Sequence, residues 1–522
     1  MRDAPGPVSD VPGSVEVRGL PWSQSRVADR QGLADPNRTQ GSRMSNTAHA
    51  TAEPTVSQRT PWSARRAWPE WLVVPGALVL ALVVTGAVLQ VAHPFIRHDD
   101  WAFTLGRHEP GSAAQFSRNL YEGRWLNTVY WYVIGQRTSI VVASTIFVVA
   151  YSAFVWGFVR ALAPPNRLST FVLTFALFVS AIWVRLVYWP GTLSASMIVA
   201  ATAVWTLPLA RLRRRFLAAW LLLFVVLSIL SYPPVAALVF LAFVVTELGQ
   251  STRRLLVGAA GFVGAYGIGV LTVYAFNWLA FGTFGLTIST WRRPNPLESL
   301  DDLTTNLARY GTQFASLLGL LGWAAVVAVV TLVWALVDSS TRRSAFIVLG
   351  AVVVVVALEA ALTVYSGVVT GTRASLWAWP AVCLPAALLL NGIRPSRIAG
   401  VVGLAVIALV GVTSWRADLG EHRATREQYD AIVSDTASVV GQHPDDVVVM
   451  WMEPRWKATA QGSMTAVTVR SMLYDQQGLY PRWCAPAECA DIARAVREDP
   501  HADVLRVDGL TVVRIPRPPA WL

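Results

Sequence analysis

The sequence predicts an all-α polytopic membrane protein of about eleven spanning helices, followed by a small C-terminal α/β domain. Three observations lead there. Of 522 residues, 54% are hydrophobic and only 14% charged, with a mean hydropathy of +0.45. A soluble domain carries about a quarter charged residues. Apolar runs near the ~20 residues that a bilayer-crossing helix needs recur from Trp71 to about residue 414. Beyond that point short strand and helix patterns replace them.

Residues 1–68 are rich in Pro, Ser, Gly, Asp and Arg and lack apolar periodicity, so a disordered cytoplasmic tail is expected. No short apolar core with a cleavage site precedes Trp71, so no secretory signal is expected, and Met44 offers an alternative start. The spans fall near 70–92, 138–162, 168–186, 194–210, 216–232, 233–250, 255–281, 311–337, 344–365, 374–391 and 396–414. At Tyr232-Pro233-Pro234 the chain makes either a tight turn or a kinked helix. The module 69–414 is thus the membrane part, and 415–522 the α/β part.

Basic residues set the expected orientation. Almost all are Arg, Lys457 being the single lysine. The net charge of +11 does not point to nucleic acid, because the arginines fall between apolar runs instead of on one face. With the N-terminus in the cytoplasm, the inner loops hold Arg160 and Arg167, Arg211 and Arg213 to Arg215, Arg253 and Arg254, Arg342 and Arg343, and Arg394 and Arg397. All are short and basic, as the positive-inside rule expects. An odd span number puts 415–522 outside a plasma membrane. Cys484 and Cys489 lie close together there, where an oxidising compartment permits a disulfide. Cys383, inside a span, reads as a small core residue.

The outer loops carry the chemistry. Loop 93–137 opens with His93-Pro94-Phe95-Ile96-Arg97-His98-Asp99-Asp100-Trp101 and continues through amphipathic stretches near 101–108 and 113–133, which suit helices lying in the membrane interface. Loop 282–310 holds Trp291-Arg292-Arg293-Pro294, and shorter corners hold Arg185, Tyr188, Trp189, Tyr232 and Arg373. Arginine outside runs against the topology rule, and an anionic ligand explains it. A sugar carried on a lipid phosphate suits such a place. Arginines bind the phosphate, aromatics such as Trp101 and Trp125 face the sugar, and a carboxylate takes the proton of the attacking hydroxyl.

Asp99 and Asp100 are the candidate bases, either of them, with helix capping as their alternative role. Arg124, Arg185, Arg292, Arg293 and Arg373 are the candidate phosphate ligands. Arg292 and Arg293 also suit lipid headgroups. Arg373 is expected to open a span, where free N–H groups favour phosphate. Glu359, deep in a span, either lines the ligand cavity or pairs with Arg185 or Arg373. His93 and His98 stand near Asp99, but no metal or other cofactor is expected.

Asp99-Asp100-Trp101, Gly123-Arg124-Trp125 and the Ser231-Tyr232 corner together resemble the GT-C class of membrane glycosyltransferases. Within that class they are similar to the bacterial Gtr type II glucosyltransferase family. The resemblance covers roughly 70–410. One departure is Pro233, where that family would carry Gln after the tyrosine. The resemblance implies inverting transfer from a polyprenyl-phosphate sugar to a cell-envelope glycan or glycolipid. It implies Asp99 or Asp100 as base, no nucleotide sugar and no obligatory metal. A transporter or flippase of an envelope precursor, or a non-enzymatic assembly protein, is the alternative. A transporter would show inverted repeats and midplane charges, and neither is visible here.

In the C-terminal part, Arg423 to about Val440 and Ala490 to about Glu498 read as helices, and Asp446 to Trp451 as a strand. Val504–Val507, Asp508-Gly509 and Leu510–Ile515 read as a hairpin.

Overall fold

Helices follow the apolar runs, because backbone polar groups in hydrocarbon must be satisfied within their own segment. The computed structural model describes residues 70–92, 94–98, 100–106, 119–134, 138–288 and 292–519, all within the unit Pro61–Leu522. The expected tail 1–68, His93, Asp99 and Trp291 lie outside the described residues.

In chain order the helices are α1 (Glu70–Thr85), α2 (Ala87–Ala92), α3 (Trp101–Leu105), α4 (Trp125–Ile134), α5 (Ile140–Leu162), α6 (Arg167–Phe178), α7 (Pro190–Ala210), α8 (Arg214–Ser231), α9 (Val235–Glu247), α10 (Thr252–Phe281), α11 (Leu300–Leu321), α12 (Trp323–Val337), α13 (Arg342–Ser366), α14 (Ala378–Leu389) and α15 (Arg394–Gln442). Among the described residues five helices are long and apolar enough to cross a membrane: α5, α7, α10, α13 and α15. Counting α11 and α12 as one span makes a sixth, and α1, α6, α8, α9 and α14 are shorter apolar helices.

Several expected boundaries move. The run 311–337 is not one straight helix: α11 and α12 meet at 89° across Gly322. The run 168–186 stops at Phe178, where the Ser180 hydroxyl accepts from the amides of Ile182 and Trp183 and starts a 3-10 turn, Trp183–Leu186. The Tyr232 corner is a tight turn between α8 and α9, as two prolines without N–H groups dictate. Arg373 does not open a span: it sits in a 3-10 turn, Thr372–Ala374, ahead of α14. Helix α3 is buried on all five residues, so it is a core piece and not an interface helix.

The domain boundary expected at 414/415 falls inside α15, which runs unbroken for 49 residues. After it come β1 (Val447–Trp451), α16 (Pro454–Lys457), α17 (Ala460–Gln477), β2 (Arg482–Trp483), α18 (Pro486–Glu498), β3 (Val504–Val507) and β4 (Leu510–Arg514). The sheet order is β2-β1-β4-β3, with β1 parallel to β2 and β4, and β3 antiparallel to β4. Asp508 and Gly509 both have positive φ, as a two-residue hairpin turn requires. Cys484 and Cys489 are disulfide-bonded, and Cys383 is free and buried. Helix α17 and strand β2 had no clear sequence signal. Met450, Met472, Leu473 and Val513 share one apolar core with Phe95, Tyr188 and the helices, so this sheet packs on the helical part directly.

The basic loops converge at one end of the helices. Glu247, 0% exposed, holds Arg211 at 2.6 Å and Arg254 at 2.7 Å. Arg343 donates to the Gln250 carbonyl of the same loop. Removing this shared carboxylate leaves two cations facing each other. Glu247→Ala is expected to cost roughly 1–3 kcal/mol, less than a fully buried pair because both arginines are partly solvated. A thermal melt in detergent checks it, and Glu247→Gln should lie between that variant and the wild type.

Candidate functional site

The opposite end is organised around the start of α7. Its first turn has backbone N–H groups with no intrahelical partner. Pro190, at the first position, has none to satisfy. The next two belong to Gly191 and Thr192, and both donate to Asp100, at 2.7 Å for Thr192. The Thr192 hydroxyl adds a third bond to the same carboxylate at 2.7 Å. A β-carbon on Gly191 would stand 2.8 Å from Asp100 Oδ2, so this approach requires glycine. Asp100 is 0% exposed. It thus caps the first turn of α7, the alternative role that its sequence position offered. Asp99, the other candidate, lies outside the described residues.

The same turn gathers further groups. Trp131 of α4 donates to the Gly191 carbonyl at 2.9 Å, and Asn127 to the Thr192 carbonyl at 2.8 Å. Trp101 is buried in the core, so it offers no ring to a ligand. Trp189, one residue before the helix, has the Arg97 guanidinium 4.4 Å and the Arg373 guanidinium 4.3 Å from its ring centroid. These are cation–π distances. Tyr188 stacks on His422 of α15 at 3.6 Å.

His422 is 2% exposed, with Nε2 at 3.1 Å from Arg97 and Nδ1 at 2.8 Å from the Asp418 carbonyl. Arginine can only donate, so Nε2 accepts and Nδ1 carries the proton. Burial first, then the Arg97 charge, lowers the His422 pKa to about 3. Burial raises that of Asp418, offset in part by Arg185 and Arg97. Tyr188 is held well above its usual value by burial and by Asp418. The charges of Arg97, Asp418 and Glu421 act electrostatically on Tyr188, and those of Arg185 and Arg97 on Asp418.

A second group lies on the other side of α4. Glu122 holds Arg124 at 3.2 Å and Arg292 at 3.0 Å, and the Arg124 guanidinium stands 5.8 Å from the Tyr232 ring. Trp125 donates to Asn277 at 2.9 Å. Gly123 has φ +82 and packs where a β-carbon would be 2.4 Å from Val273 Cγ1, so it must be glycine. Both candidate phosphate ligands here, Arg124 and Arg292, are partnered by Glu122. Arg293 is exposed and takes part through its carbonyl, which accepts from Arg309 at 3.1 Å.

Glu359 pairs with no arginine among the described residues. It accepts from Gln313 at 2.9 Å, Ser375 at 2.7 Å and Trp377 at 2.8 Å, which corrects the ion-pair alternative. Of the residues selected from sequence, the structure sets the turns that carry Arg185 and Arg373 against one another, ties Asp100 to the start of α7, and keeps Arg124, Arg292, Trp125 and Tyr232 as a neighbouring set. Arg97, Asp418, His422 and Glu122 were missed. Glu122 directly precedes the Gly-Arg-Trp motif, and a lone acid beside two outer arginines was its available signal. Asp418 and His422 lie past the last span, where no local pattern marks them. No group of three or more His, Cys, Asp or Glu side chains among the described residues is placed to hold a metal ion. Comparison of the chain with protein-family models, curated proteins and solved structures finds no match.

Two outcomes follow. Asp100→Asn keeps the shape but replaces one accepting oxygen with a donor amide against the helix amides. A loss of about 1–3 kcal/mol is expected, measured by thermal melting. For His422 the folded value lies below the unfolded 6.5, so the unfolded chain binds the proton first. Its stabilising contribution is present above about pH 6.5 and is lost as pH falls toward 3. Asp418, with a raised value, works in the opposite sense. The melting temperature should fall between about pH 7 and pH 5, and should fall less in His422→Gln.

Proposed function

We propose that the protein is an inverting glycosyltransferase of the GT-C type, which moves a sugar from a polyprenyl phosphate to a cell-envelope glycan or glycolipid. In this reading the eleven apolar segments are spans of the plasma membrane, with the basic end in the cytoplasm and the α7 start and the sheet outside. The observation that carries it is the convergence of the Arg97 and Arg373 guanidiniums on the Trp189 ring, next to the turn held by Asp100. A cationic, aromatic site suits a phosphate that leaves with its charge, and positioned guanidiniums stabilise that charge as it develops.

The reaction needs one base. The acceptor hydroxyl loses its proton to Asp99 while its oxygen attacks the anomeric carbon. The bond from that carbon to the phosphate oxygen breaks on the opposite face, and the lipid phosphate departs onto the arginines. Asp100 is a positioning residue: its bonds to α7 fix the turn that carries Trp189.

The test is transfer from radiolabelled polyprenyl-phosphate glucose, galactose, mannose and arabinose in membranes. Asp99→Asn is expected to lower turnover roughly 10²–10⁴-fold. Arg373→Ala is expected to raise the donor KM by about 10–100-fold. Full turnover in Asp99→Asn would refute the assignment of the base, and no transfer from any of the four donors by the wild type would refute the enzyme.

A further inference from the structure

A cavity of about 300 Å³ opens between α11 and the loop before the Thr372–Ala374 turn. Arg309, Thr312, Gln313 and Ser316 line it from the helix, and Gly371 and Thr372 from the loop. This volume is at the lower end of the ~300–1,000 Å³ range of small-molecule sites.

The hydrogen bonds around it define what it accepts. The Thr312 hydroxyl donates to the Ala308 carbonyl at 3.0 Å, and the Ser316 hydroxyl to the Thr312 carbonyl at 2.9 Å. Their protons are committed, and their oxygens retain lone pairs. Gln313 is 4% exposed, and its Nε2 is fixed by Glu359. Its Oε1 is buried and accepts from no group among the described residues. Buried acceptors in folded proteins are nearly always satisfied. The one buried acceptor without a partner, Gln313 Oε1, together with the two exposed hydroxyl oxygens, suits a ligand that donates. A phosphate, which only accepts, fits poorly. Arg309, whose guanidinium donates to the carbonyls of Arg293 and Gly367, disfavours an ammonium. A neutral polyhydroxyl ring meets all three conditions.

We propose that this cavity binds a saccharide ring through its hydroxyl groups, with Gln313 Oε1 accepting one of them. The choice of a saccharide over another polyol rests on the transfer reading above. Thr372 lines the cavity while its neighbour Arg373 turns to Trp189, so a sugar here adjoins the cationic group.

Saturation-transfer NMR of the full-length protein in nanodiscs tests it, with methyl glycosides of glucose, galactose, mannose and arabinose as probes. At least one glycoside should receive saturation from the wild type. Gln313→Met should weaken it about 3–10-fold, while Thr312→Phe and Ser316→Phe, which fill the cavity from exposed helix positions, should abolish it. The proposal is overturned if no glycoside responds, or if the folded variants bind like the wild type. Glycoside contact without any sugar transfer would sink the enzyme reading and leave the cavity standing. Transfer with no glycoside contact would do the reverse.

Discussion

A helix that begins inside a packed, water-poor region must find acceptors for its first amides, and at α7 a single side chain supplies them. Pro190 has no N–H, and Asp100 takes those of Gly191 and Thr192. A carboxylate is well suited, because it also faces the positive end of the helix macrodipole. The bond set ties two segments 91 residues apart. The rest of the site depends on that link. Trp189 and Tyr188 precede the helix by one and two residues, so their rings are set once the first turn is set. Arg97 donates its own backbone N–H to the Tyr188 carbonyl at 3.0 Å, which brings the loop's guanidinium to the same two aromatics.

In a chain with so few charges, one arrangement of them recurs. A single carboxylate stands between two guanidiniums at Glu247, with Arg211 and Arg254, and at Glu122, with Arg124 and Arg292, while Arg185 and Arg97 act on Asp418 electrostatically. Each of the two ion-paired triads pulls separate segments together and retains one unit of positive charge. Such a charge is costly where dielectric is low and inexpensive where water or a counter-ion reaches it. The Glu247 triad belongs to the end rich in basic loops. The Glu122 triad and the Asp418 group flank the start of α7, where Arg373 adds a further cation.

The sequence was most legible where one physical rule acted alone. Apolar length located the helical segments, the Asp508-Gly509 turn located the hairpin, and cysteine spacing located the disulfide. It was less legible where tertiary partners decide. The run through residues 311–337 is apolar enough for one span, yet Gly322 breaks it into two helices. Nothing apolar distinguishes Val412 from the polar residues after it as a helix end, because α15 continues on the packing of Trp415, His422 and Tyr429. The paired aspartates were recognised as special, but a cap and a base look alike in sequence. Only burial and donor count separate them, and both depend on a helix 91 residues later.

The continuity of α15 bears on depth in the proposed topology. A helix rising about 1.5 Å per residue from Arg394 reaches Asp418 after roughly 36 Å and His422 after roughly 42 Å. The hydrocarbon core of a bilayer is ~30 Å thick. In the topology proposed above, this height places the two residues that meet Arg97 and Tyr188 beyond the acyl region. An unbroken helix fixes that height more rigidly than a linker between separate domains would, because its rise per residue is invariant and its core is shared with the sheet above it.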